Sequence, residues 1–241
     1  GNPIDVPAVN IREVAPVTPF FLAGLWMGVA LSSLMIMAVA GRELSNELTT
    51  FQILFFRSAI GLVVLAVVLQ RTGWAAIRTK KLKLHIGRNI SHYIGQFGWF
   101  YGIAYLPLAQ VFAIEFTVPI WTALLAPMVL GESLTRIRAT AVAIGFVGIL
   151  IVLRPGLVPV DVPTFAVLIA AFGFAGSILM TKRLTRTDSA LAVIFYMTLL
   201  QLPMGLVPSL FQWTTPSPAM WPWLVVVGVG ALSAHYSMAR A

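Results

Sequence analysis

The chain has 241 residues, 59% of them hydrophobic and only 10% charged, with a mean hydropathy of +0.91 and a formal charge of +8. A soluble domain carries about 25% charged residues, so this composition excludes a water-facing surface over most of the molecule and points to lipid. Cysteine is absent, which excludes disulfides and thiolate metal sites.

In chain order, residues 1–19 hold Pro3, Pro7, Pro16, Pro19 and two acids, and read as a mobile, cytoplasmic N-terminal tail. A bilayer core takes about 20 mostly apolar residues in a helix. The first stretch of that kind is roughly 20–40. Ala38-Val39-Ala40 mimics a signal-cleavage site, but the apolar run before it is too long and its flank is not basic. The second stretch, 48–70, contains Arg57. The third, 86–106, carries His92, Tyr93, Gln96, Trp99 and Tyr101. The fourth, 108–129, contains Glu115 and Pro119. The remaining four are 138–153, which is short and needs locally thin bilayer, then 163–181, 189–210 and 220–240, the last with His235 and Tyr236. Such long, uniformly apolar runs are not the alternating ten-residue strands of a barrel. The expected fold class is an all-α integral membrane protein with eight transmembrane helices.

Placing the N-terminus in the cytoplasm puts thirteen of the sixteen Lys and Arg residues in inside segments. Arg42 and Arg154 fall outside, and Arg57 falls within a span. That alternation follows the positive-inside rule. The basic run at residues 78–83, RTKKLK, is then a topology signal facing anionic lipid. It lies between spans without interleaved aromatics, so no nucleic-acid partner is expected.

Residues 98–104, GWFYGIA, loosely resemble 235–241, HYSMARA, at a shift of 137 that also lays the first span on the sixth and the second on the seventh. The unit holds five spans and closes at Leu153-Arg154-Pro155-Gly156, where Pro and Gly stop a helix. An odd-numbered unit must return through the membrane inverted, as in secondary transporters with a midplane site. The second copy has three spans, so the chain is expected to be a part of a longer one.

The stretch YLPLAQVFAIEFTVPIWTALLAPMVLGESLTRIRATAVAIGFVGILIVLRPG, residues 105–156, resembles the EamA repeat of the drug/metabolite transporter superfamily. The likeness lies in the helix with central Pro119, in Leu130-Gly131-Glu132, in the short basic loop, and in the Gly-rich helix closing on Arg154-Pro155-Gly156. Arg57 is also similar to the family. The resemblance implies an inverted repeat of five-helix units. Residues 20–156 are then the first repeat and residues 157–241 an incomplete second, with eight helices present of an expected ten. It also implies movement of small metabolites.

A charged side chain at a span centre costs about 2.5–3.5 kcal/mol on insertion scales. Glu115 should therefore face the interior and either pair or carry a proton. Arg57, at similar depth from the same face, is its expected partner. A structural ion pair and a substrate or proton site both stay open. His92 and Gln96 are four residues apart and share a face. With Tyr93, Trp99, Tyr101, His235 and Tyr236 they are candidates to line a polar cavity, or to hydrogen-bond between helices. Pro119 removes the amide that would cap the Glu115 carbonyl, which places polar backbone beside the carboxylate. The pairs Gly24/Gly28 and Gly98/Gly102, and the set Ala141, Gly145 and Gly148, let helices approach closely. Trp74, Trp213, Trp221 and Trp223 read as interfacial anchors.

The leading function is a secondary transporter of a small metabolite in the inner membrane, working by alternating access, with proton coupling through Glu115 as an option. No Walker loop appears, and neither a His-Glu-x-x-His helix nor a Ser–His pair stands out for an intramembrane enzyme. A membrane scaffold or receptor is the other alternative. No catalytic residue, metal or cofactor is expected. The expected partners are a small-molecule substrate and the lipid bilayer, with a homodimer left open.

Overall fold

The computed structural model describes residues 17–154 and 160–240. Its helices are α1 (Val17–Leu44), α2 (Thr50–Thr72), α3 (Leu82–Tyr105), α4 (Leu108–Glu115), α5 (Val118–Leu130), α6 (Arg136–Leu153), α7 (Val162–Leu184), α8 (Ala190–Ser209) and α9 (Trp221–Arg240). Short 3-10 turns at Trp74–Ile77 and Pro218–Met220 precede α3 and α9. No strand occurs among the described residues. Lipid offers the backbone no partner, and helices satisfy their own.

Six helical spans among the described residues are long and apolar enough to cross a membrane: Phe21–Leu44, Thr50–Thr72, Leu108–Leu130, Val162–Leu184, Ala190–Ser209 and Pro218–Met238. The chain is therefore a multi-pass, all-α membrane protein. The expectation of eight apolar spans is corrected to six. The third and fifth stretches do form helices, α3 and α6, but they fall outside the apolar set. α3 carries Lys83, His85, Arg88, Asn89, His92 and Gln96, which lower its hydropathy, whereas α6 is strongly apolar after Arg138 but short, at 18 residues. One boundary also shifts. α1 already begins at Val17, inside the expected tail, whose residues 1–16 lie outside the described residues, as do Pro155 and Gly156.

Local signals set the helix ends. Thr49 and Gln52 form a capping box at the start of α2, with Gln52 N–H donating to Thr49 Oγ1 at 3.3 Å. Thr135, Asp161 and Ser189 cap α6, α7 and α8 in the same way. Gly131 ends α5 in the left-handed region at φ 70°, which glycine enters without a Cβ penalty.

The fourth stretch is broken between α4 and α5. Pro119 lies in the first turn of α5, where its missing N–H costs nothing. Thr117 stitches the break: its hydroxyl donates to the Ile114 carbonyl at 2.6 Å and accepts the Trp121 indole N–H at 3.1 Å.

Three long pairings hold the bundle together: α3 along α7, α1 along α9, and α2 along α8. The α3–α7 pair is tight because it meets through glycine. A Cβ on Gly173 would lie 2.8 Å from the Ser91 carbonyl oxygen, and one on Gly98 would collide with the Ala166 carbonyl. Gly24 and Gly28, by contrast, face open space.

Polar ties gather at the two ends of the bundle. At the α1–α2 end, Arg42 donates from Nε to the Ile103 carbonyl at 3.0 Å and from Nη2 to Leu106 O, capping the C-terminus of α3. There too, Ser217 Oγ donates to Glu47 at 2.8 Å, and Gln52 Nε2 donates to Thr214 O at 2.7 Å. Gln110 Nε2 donates to Thr164 Oγ1, which donates to the Asp161 carboxylate at 2.6 Å. At the α2–α3 end, Ser189 Oγ donates to Ala76 O at 2.6 Å, and His85 Nε2 meets Asp188 Oδ2 at 2.8 Å. Glu132 there bridges Lys182 at 2.8 Å and Arg138 at 3.1 Å.

Candidate functional site

The interior between the two ends contains a chain of polar side chains. On α3, Arg88, Asn89, His92 and Gln96 are all buried and recur at one-turn spacing on one face. α8 supplies Gln201, fully buried, as their common partner. Gln201 Nε2 donates to Asn89 Oδ1 at 3.0 Å and lies 3.0 Å from His92 Nδ1, while Gln201 Oε1 accepts from Gln96 Nε2 at 2.5 Å. Arg88 donates to Thr181 Oγ1 of α7 at 3.1 Å and to Asn89 Oδ1 at 3.0 Å. His235 of α9 places its ring 5.1 Å from that of His92.

The depth is that of a midplane site. At 1.5 Å per residue, His92 is ten residues into α3 and about 15 Å from the α2–α3 end, and Gln201 is eleven residues into α8, about 17 Å from it. Arg57 is seven residues into α2, about 11 Å from the opposite end by the same rise. Its side chain is buried, and it lies within electrostatic reach of Arg88, His92 and His235.

Glu115 sits apart from this chain. It is partly buried, and its Oε2 accepts the Trp99 indole N–H at 2.8 Å. Trp99 is itself buried against Phe100 and Phe112. The expected Arg57–Glu115 ion pair is not formed. The ion pairs among the described residues are His85–Asp188, Arg138–Glu132 and Lys182–Glu132. Equal depth fixes position along the helix axis but not the face on which a side chain emerges.

The other sequence candidates divide. Tyr93 donates its hydroxyl to Met204 O at 3.1 Å, tying α3 to α8. Tyr101 stacks with Phe97 and Tyr105 near the end of α3. Tyr236 is exposed and meets Trp26 edge-on at 6.0 Å, on the surface formed by α1 and α9. The structure thus brings His92, Gln96, His235 and Arg57 into one region and leaves Tyr101 and Tyr236 outside it. Arg88, Asn89 and Gln201 were missed. Arg88 read as one more loop cation, though its spacing to His92 and Gln96 on one helical face carried the signal.

At the α2–α3 end the titration of Asp188 is set by its partners. Burial alone would raise its carboxyl, but hydrogen bonds from Thr79, His85 and Thr187 hold it below the usual carboxylate range. Hydrogen bonds from Lys182 and Arg138 likewise hold Glu132 down.

A glycine-lined helix bundle with polar side chains at mid-depth has the form of a membrane transporter, and family comparison decides the matter. Residues 17–154 match the model of the EamA-like transporter family. The chain belongs to that family. Among curated relatives, the S-adenosylmethionine uptake transporter of Rickettsia prowazekii is 26% identical over 209 residues, covering 86% of this chain and 71% of the relative. The riboflavin transporter of Brucella anthropi is 32% identical over 197 residues, covering 78% and 69%. One chain of known crystal structure superposes with a TM-score of 0.63 at 15% identity, covering 90% of this chain and 78% of that one. That likeness bears on fold alone. This EamA-like protein is a membrane transporter of the small-metabolite class and not an enzyme.

Proposed function

We propose that this EamA-like protein moves a small polar metabolite through the inner membrane by alternating access, with the Arg57–Arg88–His92–Gln96–Gln201–His235 region as its substrate site. The observation that carries the reading is the placement of two arginines, two histidines and two amides in the interior of the bundle, where lipid makes polar groups costly. The polar ties at the α1–α2 end and at the α2–α3 end are the contacts that would open in turn.

We read the two halves as an inverted repeat, and the turn geometry supports that reading. The turn from α1 to α2 and the turn from α7 to α8 share one hydrogen-bond pattern: Leu48 N–H donates to Leu44 O, and Asp188 N–H donates to Leu184 O. Each turn ends on a hydroxyl cap, Thr49 or Ser189. They lie at opposite ends of the bundle, as inversion requires. Exchanging α1 with α7 and α3 with α9 converts the α1–α9 pairing into the α7–α3 pairing and leaves α2–α8 as its own partner. Residues 20–156 are on this reading the first five-helix repeat, with α4 and α5 as its broken fourth helix. Residues 157–241 hold three helices of the second. On this reading the end rich in Arg71, Arg78, Lys80, Lys81, Lys83, Arg136 and Arg138 faces the cytoplasm, with the N-terminus inside, as the positive-inside rule favours. A homodimer is compatible with the open face at Gly24 and Gly28.

Glu115 is proposed as a proton site, held by Trp99 and placed beside the α4–α5 break. The test is uptake by proteoliposomes containing the full chain, with S-adenosylmethionine, riboflavin and a panel of amino acids and nucleosides, with and without a proton gradient. At least one compound should accumulate above protein-free vesicles. No accumulation of any, in either direction, would overturn the transporter reading.

A further inference from the structure

We propose that the buried Arg57–Arg88 pair is a receptor for an oxyanion, a carboxylate or phosphate, carried by the substrate. This rests on the transporter reading and names the chemistry of its site. Arg57 and Arg88 are 4% and 3% exposed, so both are largely shut off from water. α2 packs on α8 with Gly61 against Thr198 and Phe55 against Gly205, which brackets Arg57 at the level of Gln201, the partner of Asn89 and His92, and the Arg57 charge bears on Arg88, His92 and His235. No ion pair among the described residues includes either arginine. The buried acidic residue among the described residues, Asp188, is engaged with His85 at the α2–α3 end. Glu115 is engaged with Trp99. Two guanidiniums thus share a low-dielectric interior without a countercharge, an arrangement that is strongly unfavourable unless an anion joins it.

The hydrogen bonding points the same way. The Arg57 Nε–H has no acceptor among the described residues, and neither does the neighbouring Ser58 hydroxyl have a partner. Arg88 spends two donors on neutral oxygens, Thr181 Oγ1 and Asn89 Oδ1, which orient its fork without neutralising it. Arginine's planar fork matches the two oxygens of a carboxylate or phosphate. The Gln201 network fixes Asn89 and His92 beside it in one geometry.

The experiment uses the full chain in phosphatidylcholine nanodiscs and reads thermal stability against glutamate, S-adenosylmethionine and inorganic phosphate. Glutamate dimethyl ester and riboflavin serve as probes without an oxyanion. Glutamate, S-adenosylmethionine or phosphate should raise Tm saturably, beyond sodium chloride at equal ionic strength and beyond the ester. Arg57→Gln and Arg88→Gln should each weaken that binding tenfold or more, with Arg57→Lys intermediate. Without probe, Arg57→Gln should not lower Tm, because it removes an unneutralised charge.

A shift that survives in both Gln variants would overturn the proposal. So would an equal effect of chloride or the ester, or binding seen only after phosphatidylglycerol is added. A Tm that falls by several degrees in unliganded Arg57→Gln would also overturn it, by revealing a countercharge within the protein. If uptake of a neutral compound proceeds unchanged in both Gln variants, the receptor fails while the transporter reading stands. If no compound is taken up yet oxyanions bind through both arginines, the opposite holds.

Discussion

Glu115 and Arg57 are both single charges set in apolar helices, yet the bundle treats them differently. The acid is held by one indole N–H at the edge of an aromatic cluster formed by α3 and α4. The base stands with a second base, two imidazoles and a web of amides drawn from four helices. The first is a local, two-member contact that a proton can neutralise. The second is a network whose geometry is specified by its members and whose charge is not. The difference separates a group suited to changing its own charge from a group suited to holding another's.

The network side predicts the largest effect. Gln201→Leu preserves volume but leaves Asn89, His92 and Gln96 without their common partner. Interhelical hydrogen bonds in membranes are worth about 0.6–2 kcal/mol each, so the variant should lose about 2 kcal/mol and at least tenfold in uptake. Thermal unfolding and initial uptake rates measure both. A rate near wild type would demote the network to packing.

The acid side predicts a change of pH profile more than of rate. Uptake by the wild type should vary with pH, and Glu115→Gln, which keeps the shape and cannot ionise, should flatten that dependence with a rate loss of about threefold to tenfold, the low end of what a lost proton-transfer group costs. An unchanged profile in Glu115→Gln would remove Glu115 from coupling.

A third prediction concerns the end of the bundle. The folded-state carboxyl of Asp188 lies below its ordinary value. Its stabilisation is therefore present above the unfolded pKa, about 3.9, and is lost as pH falls through the lower folded value. Tm of the wild type should drop in that acid window. Asp188→Asn should start a few degrees lower at neutral pH and lack this component of the drop.

How much of this was legible beforehand depends on which coordinate a residue reveals. Hydropathy located the helices because lipid demands long apolar segments; the capping residues Thr49, Asp161 and Ser189 that set their starts went unread. α3 was legible as a helix, but its polar side chains, of which His85, Arg88, Asn89, His92 and Gln96 are buried, kept it out of the apolar class. His92 with Gln96 could be read from spacing. Gln201 could not, since a lone amide in an apolar run declares nothing until its neighbour across the bundle is known. Arg42 read as an outside cation, whereas it caps the carbonyls that end α3. A one-dimensional pattern carries depth and local face; it does not carry the azimuth of one helix against another.

That last point sets the smallest expected effect and the sharpest check on the comparison. Arg57 and Glu115 lie at about the same depth, 11 Å from one end at 1.5 Å per residue, and pairing them was the natural expectation. A double-mutant cycle with Arg57→Gln and Glu115→Gln should give an interaction within about 0.5 kcal/mol of zero, as for residues that share no partner. The cycle of Glu115→Gln with Trp99→Phe should give about 1 kcal/mol, because that contact is a hydrogen bond from a buried indole to a partly buried carboxylate. If the first coupling exceeded the second, acid and base would meet in some other state of the transport cycle. The two charges would then be halves of one switch instead of neighbours with separate tasks.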